Sequence, residues 1–319
     1  MQSKHVPVMV AEVLRLLEPH SGQLLADLTV GPGGHAEALL EHSAPDGRVL
    51  CVDVDGEAIA LARRRLAPFG DRASFCRRSY AELPAILEEL RLPAPDGCLL
   101  DAGGVSSDQL ADPARGFSYQ VDGPLDARFR QAEGSPTAAD LVNTLSQEEL
   151  ARIFRIGGET RRAAQAIAAQ IIAARRAQPI HTTQQLARLV AAGVTAVRPG
   201  PTRKPIARRA FLGLRLALNT EIPTLLEGVR AALRCLPPGG RLVVLTYHSG
   251  EHGPVRRLLR ELERGCVCPP ALPRCGCGRQ PVLRQLVRKP LFPTPEEVAR
   301  NSAAASARLH AVVRAAGSL

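Results

Sequence analysis

The sequence predicts an α/β fold, a doubly wound, Rossmann-like parallel sheet that carries an inserted all-helical domain. Apolar runs alternate with amphipathic runs over the first hundred residues, which is typical of βαβ units in a parallel sheet. From about Asp112 to Arg209 the chain shows only loops and amphipathic segments of helical period. We therefore expect residues 1–112 and 210–319 to form one discontinuous domain, and residues 113–209 to form an inserted substrate-recognition domain.

The first βαβ unit is the most informative part of the chain. An apolar strand, Leu24–Val30, leads into a glycine turn, defined as residues 31–34 (GPGG), and then into an amphipathic helix. A second apolar strand, Val49–Val52, ends at Asp53. Such a unit places a nucleoside site at the carboxyl ends of its strands. Asp53 follows the turn by about twenty residues, where a carboxylate accepts the hydrogen bonds of a ribose diol.

The spacing of residues in the glycine turn does not by itself identify the type of cofactor. Glycines let the backbone approach a ligand where a Cβ atom would clash, and the same spacing also fits a loose dinucleotide pattern. Pro32 removes one of the backbone N–H groups that a pyrophosphate needs, whereas S-adenosylmethionine has no phosphate. His35 is placed to reach the methionine end of that cofactor. A dehydrogenase is the alternative that the sequence favours least. The other alternative is a strand-to-helix turn that binds no ligand.

The alternation continues after Asp53 and resumes after the insertion. Further elements of the sheet domain are predicted as helices at Glu57–Leu66 and Ala81–Leu90, strands at Ala73–Cys76 and Gly97–Leu100, a long helix at Arg208–Leu236 and a strand at Arg241–Tyr247. The insertion is predicted to contain helices at Thr137–Val142, Gln147–Phe154, Glu159–Arg176 and Thr183–Ala192, the last capped by Thr182 or Thr183.

Three side chains are candidates for chemistry beside the cofactor. Asp101 ends the fourth strand, so its carboxylate either accepts a hydrogen bond from an exocyclic amine or caps the next turn. Asp126 lies in a polar, glycine-containing loop, residues 115–129, which is either a substrate lid or a surface ion-pair segment. His248 ends the strand after the insertion and either positions a base or phosphate or is a buried structural histidine.

Charge and composition limit the partners. The chain has 319 residues and a formal net charge of +10, almost all of its cations being arginine. Clustered guanidinium groups suit a phosphate backbone, although a GC-rich genome also produces such a composition. We expect exposed arginines of the insertion, including Arg161, Arg162, Arg175 and Arg176, to contact RNA. No apolar stretch approaches the ~20 residues of a membrane span, and the first residues do not show the pattern of a secretory signal, so we expect a cytoplasmic protein without a membrane partner.

Four cysteines form a cluster of the pattern C-x-C…C-x-C: Cys266, Cys268, Cys275 and Cys277. Four thiolates suit a tetrahedral zinc site, and a reducing compartment argues against disulfides. The spacing differs from the C-x2-C of common zinc ribbons. A zinc site and a loop of reduced thiols therefore both remain open.

Long motifs in a fixed order give the chain a resemblance to a known family. They include HVPVMVAEVL, GPGGH, VDVD, LLDAGGVSSDQL, RGFSYQVDGPLDAR, LPPGGRLVVLTYHSGE and RKPLFPTPEEVARN. With these motifs the chain resembles the ribosomal RNA small subunit methyltransferase H family. The resemblance implies a class I S-adenosylmethionine-dependent methyltransferase that methylates the N4 of a cytidine in 16S rRNA, within the small ribosomal subunit, as a monomer or homodimer. It also implies the cofactor-binding residues Gly33, Gly34, His35, Asp53, Tyr80, Asp101 and Gln109.

The chain departs from the family pattern inside its functional motifs. The usual DLGVSSPQLD is DAGGVSSDQLA here, with an extra glycine after Asp101, and the usual FHSLEDR is YHSGEHG. Two alternatives to the usual activity follow from these changes. One is a divergent paralogue that methylates another RNA or acceptor, and the other is a weakly active RNA-binding assembly factor.

Overall fold

The computed structural model describes residues 6–198, 206–266, 268–269, 274 and 276–317, except for the side chains of residues 107 and 108. Its residues cluster into two compact units. The first contains residues 1–104 and 223–319, and the second contains residues 105–222. The predicted boundaries at 112/113 and 209/210 fall inside the second unit, because the segments on either side of the predicted insertion belong to its packing.

The first unit contains a seven-stranded sheet of order β3-β2-β1-β4-β5-β7-β6. Strands β1 to β5 are parallel, and β7 runs antiparallel to both of its neighbours. The strands are β1 Leu24–Asp27, β2 Arg48–Val52, β3 Ala73–Cys76, β4 Gly97–Asp101, β5 Arg241–Thr246, β6 Leu283–Gln285 and β7 Arg308–Arg314. A reversed strand between β5 and β6 distinguishes this sheet from the dinucleotide-binding order 3-2-1-4-5-6. The order and directions of β1 to β5 agree with the predicted doubly wound, Rossmann-like sheet.

Helices cover both faces of this sheet. A separate apolar core lies between the sheet and the helices on each face. They are α1 Val10–Leu17, α2 Gly34–His42, α3 Gly56–Leu66, α4 Leu83–Glu89, α11 Glu221–Cys235, α12 Ser249–Arg264 and α13 Pro295–Arg300. Strands β1, β2 and β4 are apolar and buried on both faces, as parallel strands between helical layers require. Asp27 ends β1, Asp101 ends β4 and Asp53 directly follows β2, so the three carboxylates lie at the carboxyl ends of parallel strands.

The second unit is helical in the part of the chain that the structure describes. Its helices are α5 Ser107–Ala111, α6 Ala138–Thr144, α7 Gln147–Ile156, α8 Arg161–Arg175, α9 Thr183–Val197 and α10 Arg208–Leu218. They enclose a separate apolar core with Phe154 and Ile167 at its centre. Thr182 caps α9, because its hydroxyl accepts a hydrogen bond from Gln185 N.

The prediction of one long helix at Arg208–Leu236 is wrong, because the helix is interrupted between α10 and α11. Thr220 has a φ of +48°, in the left-handed region that ends a helix. Asn219 holds the break in place, since its Nδ2 donates to Ala127 O over 2.9 Å and its Oδ1 accepts from Phe129 N over 2.9 Å. Contacts with a distant loop thus override a continuous helical pattern.

The N-terminal segment is hydrogen-bonded to the part of the chain around α13. Met9 N donates to Glu297 Oε1 over 2.6 Å, and Asn301 Nδ2 donates to Val6 O over 3.0 Å. Within the described ranges, no helix is both long enough and apolar enough to cross a lipid bilayer.

Candidate active site

The glycine turn follows the end of β1 and is the first part of the candidate site along the chain. Gly31 and Gly33 have φ angles of +50° and +90°, where a side chain would strain the backbone. Gly33 is the N-cap of α2, and its N–H donates to Val30 O over 2.8 Å. Gly34 has a different constraint, because a Cβ atom there would lie 2.9 Å from Pro7 Cγ. The lack of a side chain at Gly34 is therefore explained by packing within the fold.

Asp53 joins the end of β2 to the glycine turn. Its Oδ2 accepts from Gly31 N over 3.0 Å, and its Oδ1 accepts from Asp55 N over 2.9 Å. Burial raises the pKa of Asp53 to about 6, although these two backbone N–H groups favour the charged form. Each carboxylate oxygen keeps a further lone pair, so the group still has acceptors for a ribose diol.

Asp101 at the end of β4 is held from several sides. Its Oδ1 accepts from Gly103 N over 3.1 Å, and its Oδ2 lies 3.8 Å from His35 Nδ1. The hydroxyl of Tyr247, at the end of β5, is hydrogen-bonded to the same carboxylate; burial and this carboxylate raise the pKa of Tyr247 well above its usual value. A Cβ atom on Gly103 would lie 3.1 Å from Asp101 Oδ1 and 3.3 Å from Tyr247 Cε2. Asp101 therefore has a fixed orientation and remains 15% exposed.

The ring of His35 is oriented by the N-terminal segment. His35 is only 7% exposed, and its Nε2 lies 2.9 Å from Val8 O. A carbonyl oxygen only accepts hydrogen bonds, so Nε2 carries a proton and Nδ1 is the atom that faces Asp101. The side chain therefore lies at the base of the site, beside the carboxylate.

Asp27 is a further candidate site residue, which the sequence analysis missed. It ends β1, is 1% exposed, and its Oδ2 has no hydrogen-bond partner, while its Oδ1 accepts from Thr29 N over 3.2 Å. Burial raises the pKa of Asp27 to about 6; His35 and Thr29 N oppose this rise, and the charges of Asp101 and Asp53 add to it. A signal was present in the sequence, because Asp27 is the one charged residue within the apolar run Leu24–Val30. We refer to Asp27, Asp53 and Asp101 as the carboxylate cluster.

Tyr80 lies in the 3₁₀ turn Tyr80–Glu82, which follows β3. Its half-buried ring packs against α11, since a Cβ atom on Gly228 would lie 2.3 Å from Tyr80 Cδ2. Gly228 is therefore required for the ring to lie there. Ser79 begins the turn with a capping box and fixes its entry.

His248 stands at the N-terminus of α12, next to a cavity. Its Nε2 lies 2.8 Å from Oε1 of Glu251, which is 2% exposed and accepts from Tyr247 N over 2.7 Å. Together with Tyr247 and Ser249, His248 lines a cavity of about 300 Å³ whose other walls include Phe292 and Arg308. The Arg308 guanidinium lies 5.4 Å from the exposed Phe292 ring. The sequence analysis did not anticipate this aromatic and cationic wall.

Gln109 and Asp126 belong to the second unit. The Gln109 side chain caps its own helix, since its Oε1 accepts from Ser106 N over 2.9 Å. Asp126 forms a two-point ion pair with Arg128, at 2.9 Å to Nε and 2.8 Å to Nη2. Burial alone would raise the pKa of Asp126, but the Arg128 hydrogen bonds outweigh it and the pKa is lowered. Such a carboxylate is better suited to positioning than to accepting a proton.

The cysteine cluster is partly described. The Sγ atoms of Cys266, Cys268 and Cys277 all lie within 4.8 Å of one another. Cys275 lies outside the described residues.

Comparison with known proteins identifies the family. Residues 2–315 match the model of the MraW methylase family. A protein of Thermomicrobium roseum named ribosomal RNA small subunit methyltransferase H is 45% identical over 318 residues, covering 99% of this chain and 95% of that protein. A protein of the same name from Syntrophotalea carbinolica is 46% identical, covering 98% of each chain. The crystal structure of an rRNA methylase from Streptococcus thermophilus aligns with a TM-score of 0.41 at 12% identity, over 96% of this chain and 93% of that one. The chain therefore belongs to the MraW methylase family and is a methyltransferase whose cofactor is S-adenosylmethionine.

Proposed function

We propose that this protein transfers the methyl group of S-adenosylmethionine to the exocyclic N4 of a cytidine in the 16S rRNA of the small ribosomal subunit. The observation that carries the proposal is the fixed carboxylate of Asp101 at the carboxyl end of β4, between Gly103 N and the Tyr247 hydroxyl. The names of the relatives support ribosomal RNA as the substrate, and the net charge of +10 suits a polyanionic partner.

The residues at the sheet edge fit the cofactor. At Gly31 the backbone is open, because a Cβ atom there would approach only Thr29 O, at 3.9 Å, and Asp53 accepts a hydrogen bond from the N–H of this residue. The unpaired Oδ2 of Asp27 is a buried anionic atom, which suits a cofactor that carries an ammonium and a sulfonium group. We assign cofactor binding to Gly33, Gly34, His35, Asp53, Tyr80, Asp101 and Gln109.

The bound cofactor supplies an electrophilic methyl group, and the protein mainly positions the acceptor. The lone pair of a cytosine N4 is delocalised into the ring, so a hydrogen bond from the amine to a carboxylate makes the nitrogen a better nucleophile. Asp101 is the side chain that we assign to this role, because its orientation is fixed and its edge is open. His248 is proposed to hold the base or its phosphate. Asp126, paired with Arg128, is proposed to position the acceptor.

The second unit is proposed to recognise the substrate. Arg161, Arg162 and Arg176 of this unit are exposed, which suits contact with phosphates. Arg175 has a structural role instead, since its Nη1 donates to Val142 O over 2.8 Å and to Leu145 O over 2.7 Å. We further propose that the protein works in the cytoplasm on rRNA or the small subunit, as a monomer or homodimer.

The test is mass spectrometry of nucleosides from 16S rRNA of cells with and without the gene, complemented by wild type or Asp101→Ala. We expect N4-methylated cytidine with wild type and its loss with Asp101→Ala, while the melting temperature stays close to wild type. Calorimetry with S-adenosylmethionine then separates a loss of chemistry from a loss of binding. Arg91→Ala, on an exposed turn of the same unit, is the control variant and should complement fully.

Three outcomes would contradict the proposal. Full methylation with Asp101→Ala would remove the assigned role of this carboxylate. Methylation of another base or another RNA would favour the divergent paralogue. RNA binding without methyl transfer by the wild type would favour the assembly factor.

A further inference from the structure

A loop between α12 and β6 stands out because it has no helix or strand in its described part. We call residues 265–281 the cysteine loop. Its two ends cross closely: a Cβ atom on Gly265, whose φ is +65°, would lie 2.7 Å from Gln280 C and from Pro281 N. Val282 N then donates to Leu262 O over 2.9 Å. The two ends of the cysteine loop are thus held close together by contacts within the fold.

The described part of the cysteine loop offers little apolar surface for a core. Arg274, Gly276 and Gly278 are exposed, and Cys266, Cys268 and Cys277 are only half-buried. Ordering a residue costs roughly 1–2 kcal/mol of backbone entropy, so a loop of this length needs some other source of stabilisation. Among the described residues of the loop, the Sγ atoms of these three cysteines lie close together.

The distances between the thiols match a shared metal ion. Cys277 Sγ lies 3.8 Å from Cys266 Sγ, and Cys268 Sγ lies within 4.8 Å of both. A disulfide would place two sulfurs about 2.05 Å apart. Tetrahedral Zn²⁺ with Zn–S bonds of about 2.3 Å places two thiolates about 3.8 Å apart. The observed separation therefore equals the edge of a zinc–thiolate tetrahedron.

We propose that Cys266, Cys268 and Cys277 bind one Zn²⁺ as thiolates and that this ion serves as the core of the cysteine loop. A fourth donor completes the tetrahedron. Soft thiolate ligands favour Zn²⁺ over Mg²⁺ or Ca²⁺, which prefer oxygen. Each thiol releases its proton to solvent when the metal binds.

The surroundings compensate the charge of the site. Three thiolates and one Zn²⁺ leave a single net negative charge, and Arg264 lies beside it, with its Nη2 donating to Cys268 O over 3.0 Å. Arg264 is also the last residue of α12, and the neighbouring Glu263 accepts from Gln285 N of β6 over 3.0 Å. The ion therefore fixes the connection between α12 and β6, and this role does not depend on the substrate of the enzyme.

The experiment measures zinc directly. The protein, without a metal-binding tag, is prepared with zinc and reductant, freed of loose metal, and analysed by plasma mass spectrometry. We expect stoichiometric zinc in the wild type and its loss in Cys266→Ser and Cys277→Ser. Cys235→Ser is the matched control, since this cysteine is half-buried in α11, outside the cysteine loop, and should leave the zinc content unchanged.

Two further measurements keep the result interpretable if a variant folds poorly. Replacing zinc by Co²⁺ in the wild type should give the charge-transfer and d–d bands of a tetrahedral thiolate site. Removing zinc by a chelator should speed tryptic cleavage at Arg274 and Arg279, without unfolding of the sheet by circular dichroism. Wild type without zinc and without a cobalt spectrum would overturn the proposal, as would zinc retained after all three cysteines are replaced. None of these measurements depends on methyltransferase activity, so their result is independent of the proposed function.

Discussion

Replacement of Asp27 by asparagine should stabilise the protein while weakening its cofactor binding. The side chain is almost completely buried, and its Oδ2 has no hydrogen-bond partner. Asparagine has nearly the same shape and keeps the oxygen that accepts from Thr29 N. The substitution therefore removes a buried charge, keeps the contact with Thr29 N and places an uncharged amide NH2 where Oδ2 lies.

The magnitude follows from the pKa of Asp27. Burial raises this pKa from 3.8 to about 6, so the ionised form costs the folded state about 3 kcal/mol at neutral pH. The folded protein holds the proton more tightly than the unfolded chain, so stability falls as the pH rises from about 4 to about 6. Asp27→Asn should escape this loss. Its advantage should reach at most about 3 kcal/mol at pH 7.5 and be roughly 1 kcal/mol smaller at pH 5.

Urea unfolding at both pH values measures this difference, and calorimetry measures the affinity for S-adenosylmethionine. Asp46→Asn is the control, because Asp46 is an exposed carboxylate that accepts from Ser21 Oγ and Gly22 N, and its pKa is lowered chiefly by the Ser21 hydrogen bond. It should give no gain at neutral pH. An Asp27→Asn variant that is less stable than wild type at pH 7.5, or equally more stable at both pH values, would refute the reasoning.

Three other substitutions test the site and the second unit. Asp53→Ala should weaken S-adenosylmethionine by roughly 1.5–3 kcal/mol, about 10- to 150-fold in Kd, and an unchanged Kd by calorimetry would place the ribose elsewhere. Gly103→Ala should lower kcat more than cofactor affinity, because the added Cβ crowds Asp101 and the Tyr247 ring; unchanged methylation kinetics would contradict this. Arg175→Ala should lower stability by about 1–3 kcal/mol because it removes two hydrogen bonds to backbone carbonyls, whereas the neighbouring Arg176→Ala should reduce RNA affinity in filter binding and leave stability unchanged. Equal effects of the two arginine variants on RNA affinity would mean that the structural difference between them has no bearing on binding.

The parallel part of the sheet was predictable because its signals are local. Strands β2, β3 and β4 end within a residue of their predicted positions, and the glycine turn follows β1, although the predicted strand Leu24–Val30 ends at Asp27. The antiparallel pair β6 and β7 was missed, since it depends on pairing with a distant strand across the sheet. The break at Thr220 was missed for a related reason: Asn219 is fixed by a loop some ninety residues away.

The candidate site was predicted in part, for the same physical reasons. Asp53 and Asp101 were found because each ends an apolar strand, and the structure gives both a fixed orientation beside the glycine turn. The contact between Tyr247 and Asp101 joins two strands that are remote in sequence, so no local pattern shows it. The constraint on Gly34 from Pro7 is likewise a tertiary contact. The cofactor and catalytic roles of these residues remain predictions.

The carboxylate cluster is an electrostatically unfavourable arrangement within the fold. Burial raises the pKa of both Asp27 and Asp53 to about 6, and the charges of Asp101 and Asp53 add to the rise at Asp27. A fold selected only for stability would replace such a cluster, because removing a buried charge is favourable. In the proposed site a cationic cofactor would reverse the balance, since it would supply the missing counter-charge when bound. The same electrostatics should make S-adenosylmethionine bind more tightly than its uncharged-sulfur product at neutral pH, and should make this preference diminish as the pH falls through about 6. Calorimetric titrations of both ligands at pH 5 and pH 7.5 measure the preference, and an equal ratio of the two Kd values at both pH values would contradict this electrostatic account.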